Sequence, residues 1–231
     1  MSEIDKDVLQ QEVAANVTSV KKRIEVAAAR SHRDSGDVRL IAVSKNFPAA
    51  VVRAAYACGL RDFGENRVQE AEAKYGELAD IRGEMMLHMV GHLQTNKVKD
   101  ALKLVDIIHS VDSVKLAQEI SSRAVKKVPV LIEVNVAGEE SKYGLSGGQL
   151  KDVIIAIGDL PNIEIKGLMT VAPYVEDPEE VRPVFSRLKR LNDSFGFKEL
   201  SMGMTDDFEV AIEEGATMIR IGRAIFGERR Y

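Results

Sequence analysis

The chain has 231 residues, of which 45% are hydrophobic and 29% charged, and its formal net charge at pH 7 is −4. This length and composition predict one globular domain over residues 1–231, and the acidic balance argues against nucleic acid or an anionic membrane as a partner. The only cysteine, Cys58, excludes an internal disulfide and is typical of a reducing compartment. Without a long apolar stretch or a signal-peptide pattern, we expect a cytoplasmic protein.

A long helix is predicted first, over residues 5–30, and strands and helices alternate after it. Its apolar stripe, the face expected to be buried, consists of Val8, Val13, Val17, Val20 and Ile24. The predicted strands are apolar, β-branched runs at 38–45, 61–64, 86–91, 105–111, 129–136, 163–170, 198–204 and 217–222. The predicted helices cover 48–58, 66–80, 96–103, 113–127, 147–158, 177–193 and 206–214. Pro183 requires a kink or a later start in the helix at 177–193.

Strands that alternate with helices indicate parallel pairing through crossover helices. An open, doubly wound sheet alternates in the same way. Eight strands and a length near the roughly 250 residues of a (β/α)8 barrel favour the barrel, here with an extra N-terminal helix. We therefore predict an α/β fold, a single (β/α)8 TIM barrel, with a functional site at the carboxyl ends of the strands.

Lys45 follows the first predicted strand, where the chain leaves the interior. One interpretation is a lysine whose amine reaches water from the strand tip. The other is an amine in an apolar barrel mouth, where desolvation lowers its pKa and allows a Schiff base with a carbonyl compound. The pattern alone leaves both open.

The ends of the last two strands have features of a phosphate site. The stretch "SMGMTDDFEVAI" offers Ser201, Gly203 and a helix cap at Thr205 or Asp206, and "IGRAIFG" adds Gly222. Ordinary turn and cap chemistry explains each feature alone, but (β/α)8 barrels often bind phosphate at these two strands. The charges of Asp206 and Asp207 argue mildly against a phosphate there.

Arg220 interrupts the apolar eighth strand, so it needs a charged partner or a wet cavity. It is either half of an ion pair that fills the barrel or a donor to the pyridine nitrogen of pyridoxal 5′-phosphate (PLP). The four histidines lack metal-ligand spacing, so we predict no metal site, and His88 and His109 are interpreted as hydrogen-bonded core residues. Cys58 is interpreted as packing, and the basic run "SRLKRL" as a solvated helix face.

Several motifs in this order resemble the PLP homeostasis protein family, whose members are similar to the barrel domain of alanine racemase and to other fold-type III PLP proteins. The match runs nearly end to end, from about residue 12 to Phe226, and its motifs are "AVSK", "FGENRVQE", "VGHLQTNK", "SKYGL", "KGLMT", "SMGMTDDFEVAIEEG" and "IRIGRAIFG". The resemblance implies a cofactor, PLP, held covalently as a Schiff base by Lys45. It also implies that Arg220 faces the ring nitrogen and that Asn66 lines the pocket beside the ring.

The resemblance further implies a phosphate site at Ser201, Gly222 and Arg223, the last two through backbone N–H groups. Two residues depart from the family pattern. Thr205 stands where relatives commonly have Ser, which keeps the hydroxyl. Arg223 stands where many relatives have Thr, which leaves only the backbone contact.

Two functions compete. The first is a non-enzymatic PLP carrier or regulator in vitamin B6 and amino-acid homeostasis, a monomer with PLP-dependent apo-enzymes as its partners. The second is an amino-acid racemase, which needs acid–base groups on both faces of its substrate. The racemases draw the second group, a tyrosine, from an additional domain, and the chain ends at Tyr231 without room for one; Tyr143 is a conceivable substitute. A class I aldolase is disfavoured because the sixth strand end, "GLMT", lacks a lysine. We therefore expect the carrier.

Overall fold

A computed structural model describes residues 3–138, 143–145, 148 and 150–228. Eight parallel strands close into a barrel in chain order, which confirms the predicted fold class and strand count. The strands are β1 (Arg39–Val43), β2 (Asp62–Glu65), β3 (Met86–Met89), β4 (Ile107–Val111), β5 (Val128–Glu133), β6 (Ile163–Met169), β7 (Glu199–Ser201) and β8 (Met218–Ile221). They are mostly shorter than predicted, so several residues assigned to strand ends lie in the loops above the barrel.

A helix follows each strand and covers the outside of the barrel. The helices are α1 (Glu3–Arg30), α2 (Ala49–Ala57), α3 (Val68–Gly76), α4 (Val98–Leu104), α5 (Val114–Arg123), α6 (Leu150–Gly158), α7 (Arg182–Ser194), α8 (Phe208–Glu213) and α9 (Arg223–Phe226). Before α7 a 3₁₀ turn covers Pro178–Val181, and Pro183 lies in the first turn of the helix, where its missing N–H is tolerated. Of the two alternatives predicted from Pro183, a kink or a later start, the structure shows the later start.

Helix α1 precedes the barrel and packs against α2, α8 and α9. Its buried stripe contains Val13, Val17, Val20 and Ile24. Val8, predicted as part of this stripe, is 50% exposed, because a five-residue step places it about 140° away from Val13 around the helix. Arg23 pairs with Glu209 of α8 at 2.6 Å, which ties the helix to the last part of the barrel.

The core has an apolar layer between strands and helices and a smaller cluster inside the barrel. The inner cluster consists of Ile41, Val43, Ile107, Leu131, Met169 and Met218. Beside it, His88 and His109 are fully buried and hydrogen-bonded to each other at 2.9 Å, which confirms the interpretation of both as satisfied core histidines. In the described part of the chain, no helix combines the length and apolar character that crossing a membrane requires.

Candidate functional site

A cavity of about 640 Å³ opens at the carboxyl ends of the strands, where the (β/α)8 fold places functional sites. Five of the six site residues expected from the sequence line it: Lys45, Asn66, Arg220, Gly222 and Arg223. They come from the ends of β1, β2 and β8, which are neighbours in the closed barrel. The barrel therefore brings together residues that are up to 178 positions apart.

Lys45 is half-buried in the loop after β1, and the backbone of both neighbouring residues is hydrogen-bonded to side chains of α3. The carbonyl of Ser44 accepts a hydrogen bond from Lys74 Nζ at 2.6 Å. The backbone N–H of Asn46 donates to Glu70 Oε1, and Asn46 has a left-handed φ of 64°. Because asparagine tolerates this conformation better than most residues, the chain can turn sharply directly after Lys45.

A buried ion pair between β2 and α3 supports this loop. Glu65 is fully buried, and its Oε1 accepts hydrogen bonds from Lys74 Nζ and Ser44 Oγ, both at 2.6 Å. Burial raises the pKa of Glu65, while the nearby charge of Lys74 opposes this shift. Both side chains are buried, so the loss of one partner is costly.

Arg220 reaches from β8 toward the cavity and is 5% exposed. One terminal nitrogen donates to Ser201 Oγ at 2.5 Å and the other to the carbonyl of Thr170 at 2.7 Å. Burial lowers the pKa of Arg220 to about 10, and the charges of Asp207 and Glu133 oppose the shift. The guanidinium therefore remains charged at neutral pH, with two neutral oxygens as its hydrogen-bond acceptors.

Glu133 ends β5 and lines the same cavity. Burial raises its pKa to about 7, the charge of Asp112 adds to this shift, and the charge of Arg220 reduces it. The sequence reasoning did not single out Glu133. The signal that could have identified it is a single charged residue, Glu133, at the end of an otherwise apolar strand.

The structure does not place Ser201 in the cavity wall, contrary to the expectation of a phosphate contact. Ser201 pairs in register with Met218, two residues before Arg220 on β8, so it lies deeper in the barrel. It is fully buried, and its hydroxyl is bonded to His109 and Arg220. Thr205 lines the cavity instead.

The helix cap expected at Thr205 or Asp206 is also wrong. Helix α8 begins at Phe208, with Asp207 in the capping position and its carboxylate accepting the backbone N–H of Met204 at 2.6 Å. Asp206 instead pairs with the guanidinium of Arg223. Both carboxylates expected to repel a phosphate are thus engaged, one by a cation and one by a backbone donor.

Two glycines in the cavity wall, Gly91 and Gly222, and one that directly precedes the wall residue Met204, Gly203, allow close backbone approach. A Cβ atom on Gly222 would lie 3.2 Å from the carbonyl oxygen of Val43, and one on Gly91 would lie 2.5 Å from that of Asn66. Gly203 has a φ of 90°, and a Cβ there would lie 2.6 Å from Ala211 Cβ. Side chains at Gly91 and Gly222 would push the cavity walls apart, so these two glycines keep its shape.

Tyr143 and His92 form a further part of the cavity wall that only the structure shows. Their rings stack with centroids 3.9 Å apart, and His92 Nδ1 lies 3.2 Å from Asp112. Tyr143 is 59% exposed, so its ring faces the opening. Among the residues that the structure describes, no cluster of three or more metal-ligating side chains occurs.

Comparison with known proteins agrees with this fold. Residues 15–230 match the family described as the N-terminal domain of alanine racemase. Among solved structures, PipY of Synechococcus elongatus with PLP bound is 36% identical, with a TM-score of 0.82, and the match covers 93% of this chain and 100% of that one. Alanine racemase from Corynebacterium glutamicum, 19% identical with a TM-score of 0.73, shares the fold; the match covers 95% of this chain and 62% of that one.

Curated relatives are similar over nearly their whole length. The pyridoxal phosphate homeostasis protein of Aquifex aeolicus is 47% identical over 224 residues, which cover 93% of this chain and 97% of the relative. The protein of the same name from Pseudomonas aeruginosa is 43% identical over 224 residues, which cover 95% and 96%. Identity at this level from end to end shows that the chain belongs to the pyridoxal phosphate homeostasis protein family.

Proposed function

We propose that this protein binds PLP covalently through Lys45 and acts in PLP and amino-acid homeostasis as a non-catalytic carrier, with PLP-dependent apo-enzymes as the partners it serves. The observation that carries the proposal is that Lys45, in the loop after β1, and Arg220, on the neighbouring strand β8, line one cavity. The names of the Aquifex and Pseudomonas relatives and the PLP bound in PipY support it.

The donors around the cavity match the chemical parts of PLP. Lys45 supplies the amine that the aldehyde requires, and Arg220 supplies a donor for the ring nitrogen. Asn66 borders the same cavity and is assigned to the side of the ring. The hydroxyl of Thr205 and the backbone N–H groups of Gly222 and Arg223 are assigned to the phosphate, with Thr205 in the role first expected of Ser201.

When bound, PLP supplies an aldehyde that condenses with amines and a ring that can accept electrons. Arg220 remains charged at neutral pH, so it donates to the ring nitrogen without giving up its proton. A carboxylate in this position would favour a protonated ring, which is the stronger electron acceptor. Arg220 therefore leaves the ring a weaker electron acceptor, which disfavours carbanion chemistry.

The absorbance of the purified protein tests the proposal directly. After incubation with PLP and removal of the excess, the wild type is expected to keep a visible absorbance band, and Lys45→Ala to lose it. Lys103→Ala, at a lysine that is 59% exposed on α4, is the matched control and should keep the band. Borohydride reduction followed by peptide mass spectrometry should place the added mass on Lys45. A colourless wild type, or label on another lysine, would contradict the proposal.

One observation favours a second candidate, an amino-acid racemase. Such an enzyme needs acid–base groups on both faces of its substrate, and Tyr143 lines the cavity together with Lys45. Chiral chromatography of alanine and other amino acids after incubation with the PLP-loaded protein separates the two functions. Turnover that Tyr143→Phe abolishes would establish the racemase, and its absence in the wild type is the result that the carrier predicts.

A further inference from the structure

A continuous line of hydrogen bonds crosses the interior of the barrel and ends at Arg220. Asp62 Oδ1 lies 3.0 Å from His88 Nε2, and His88 Nδ1 lies 2.9 Å from His109 Nε2. His109 Nδ1 lies 2.9 Å from Ser201 Oγ, which accepts the bond from Arg220 at 2.5 Å. The line runs through β2, β3, β4, β7 and β8, from the amino end of the barrel to the cavity.

The two ends of the line determine where every proton lies. Arg220 can only donate, and the Asp62 carboxylate can only accept. His88 must therefore carry its proton on Nε2, facing Asp62, which leaves Nδ1 to accept from His109 Nε2–H. His109 Nδ1 then accepts the hydroxyl proton of Ser201, whose oxygen accepts from Arg220. In the reverse arrangement, an unprotonated His88 Nε2 would face the carboxylate.

Burial keeps both histidines neutral, which this proton arrangement requires. It lowers the pKa of His88, although the hydrogen bond and charge of Asp62 oppose the shift. It lowers the pKa of His109 well below its usual value, and the positive charge of Arg220 adds to this effect. With one proton on each ring, every bond in the line points the same way, from Arg220 to Asp62.

We propose a positioning relay in which Ser201 and His109 hold the guanidinium of Arg220 toward the ring-binding part of the cavity, while His88 and Asp62 fix the tautomer of His109 that accepts from Ser201. The inference rests on the proposed function, since it assigns Arg220 to the PLP ring. The relay gives Arg220 a neutral acceptor, the hydroxyl of Ser201, while Asp62 at its far end also pairs with Arg39, whose Nε lies 3.6 Å from Asp62 Oδ1. The carboxylates of Asp207 and Glu133 act on the guanidinium through their charge, whereas its two hydrogen bonds go to neutral oxygens. A guanidinium has five N–H donors, so further donors remain for a ligand.

Two substitutions of the same residue separate positioning from packing. In His109→Asn, the side-chain oxygen replaces Nδ1 and can still accept from Ser201, whereas the bond to His88 is lost. In His109→Gln, the amide nitrogen replaces Nε2 and can still donate to His88, whereas Ser201 loses its acceptor. Both remove the buried ring, so a role in packing alone would affect the two variants alike.

The measurement is the PLP dissociation constant, from visible absorbance titration, together with the wavelength of the bound band. We expect His109→Gln and Ser201→Ala to weaken PLP binding about tenfold or more and to shift the band. The reason is that a misplaced guanidinium at Arg220 weakens a hydrogen bond from a charged donor to the ring. Asp62→Asn keeps an amide oxygen that accepts from His88, and His109→Asn keeps an amide oxygen that accepts from Ser201. Both variants should therefore bind PLP within about threefold of the wild type. Equal losses in His109→Asn and His109→Gln, or no loss in either, would overturn the relay.

A second measurement depends on neither the variants nor the cofactor. Two-bond ¹H–¹⁵N correlation spectra of the wild type without PLP should show both buried histidines neutral and protonated on Nε2. A proton on Nδ1 of either ring would overturn the assignment and with it the relay. A wild type that binds no PLP would instead sink the proposed function, so the two failures are distinguishable.

Discussion

Replacing Glu133 by Gln should make the stability of the barrel less dependent on pH. Glu133 is 8% exposed, and its pKa is raised from 4.5 to about 7 in the folded protein. A carboxyl group with a raised folded-state pKa contributes stability that is complete below the unfolded pKa and is lost as the pH rises through the folded pKa. Wild-type stability should therefore decrease between pH 5 and 8 relative to that of the variant.

The size of this effect follows from the same two pKa values. At 1.36 kcal/mol per pKa unit, ionising Glu133 in the folded protein costs about 3 kcal/mol, of which about 2.5 kcal/mol falls between pH 5 and 8. The nearby charge of Arg220 is already included in the folded pKa. The Gln side chain does not titrate, so the difference in free energy of unfolding between variant and wild type should grow by this amount.

Urea unfolding of the PLP-free proteins at several pH values measures this difference. Comparing the two proteins at each pH cancels the titration of all other groups, such as the buried histidines, because both proteins contain them. The reasoning would be refuted if the stability difference between Glu133→Gln and the wild type were the same at pH 5 and pH 8, or if it grew toward acid pH.

Two further substitutions test the support of the site and the closure of the barrel. Lys74→Met leaves the fully buried Glu65 without its cation and should cost about 3–5 kcal/mol in urea unfolding at pH 7; a loss below about 1 kcal/mol would contradict the buried pair. Gly167→Ala would place Cβ 1.7 Å from the carbonyl oxygen of Glu199 and should lower the free energy of unfolding by at least about 3 kcal/mol. Its control is Gly158→Ala, where the added Cβ has no atom within 4 Å and the free energy of unfolding should change by at most about 1 kcal/mol. Equal urea midpoints for the two alanine variants would contradict the packing of β6 on β7.

Predictions from the sequence were most successful where a local pattern has one physical solution. Alternating β-branched runs and helical segments require parallel strands with crossover helices, and eight of them closed as expected. The stripe from Val13 to Ile24 follows the helical repeat, and it is buried. Val8 breaks that repeat and is exposed, which the angular arithmetic alone would have shown.

Predictions of individual contacts were less successful, because they require the depth of each side chain in the barrel, and a sequence pattern does not contain that depth. Ser201 and Thr205 belong to one motif, but the pairing of Ser201 with Met218 places its hydroxyl below the cavity, while Thr205 lies in the wall. The strand repeat says which side chains point inward, and only the register between neighbouring strands says at which level.

The sequence by itself determined the class of fold and the order of its strands, because these depend on short-range periodicity. It also made Lys45 a candidate for the cofactor-binding lysine, through residue chemistry and the family resemblance. The tertiary structure alone decided what surrounds Lys45 and Arg220. The support of the lysine loop by Lys74, the raised pKa of Glu133 and the line from Asp62 to Arg220 join residues from different strands and helices. Burial and hydrogen bonding between such distant residues arise only when the barrel closes, since closure removes water and brings the strand ends together.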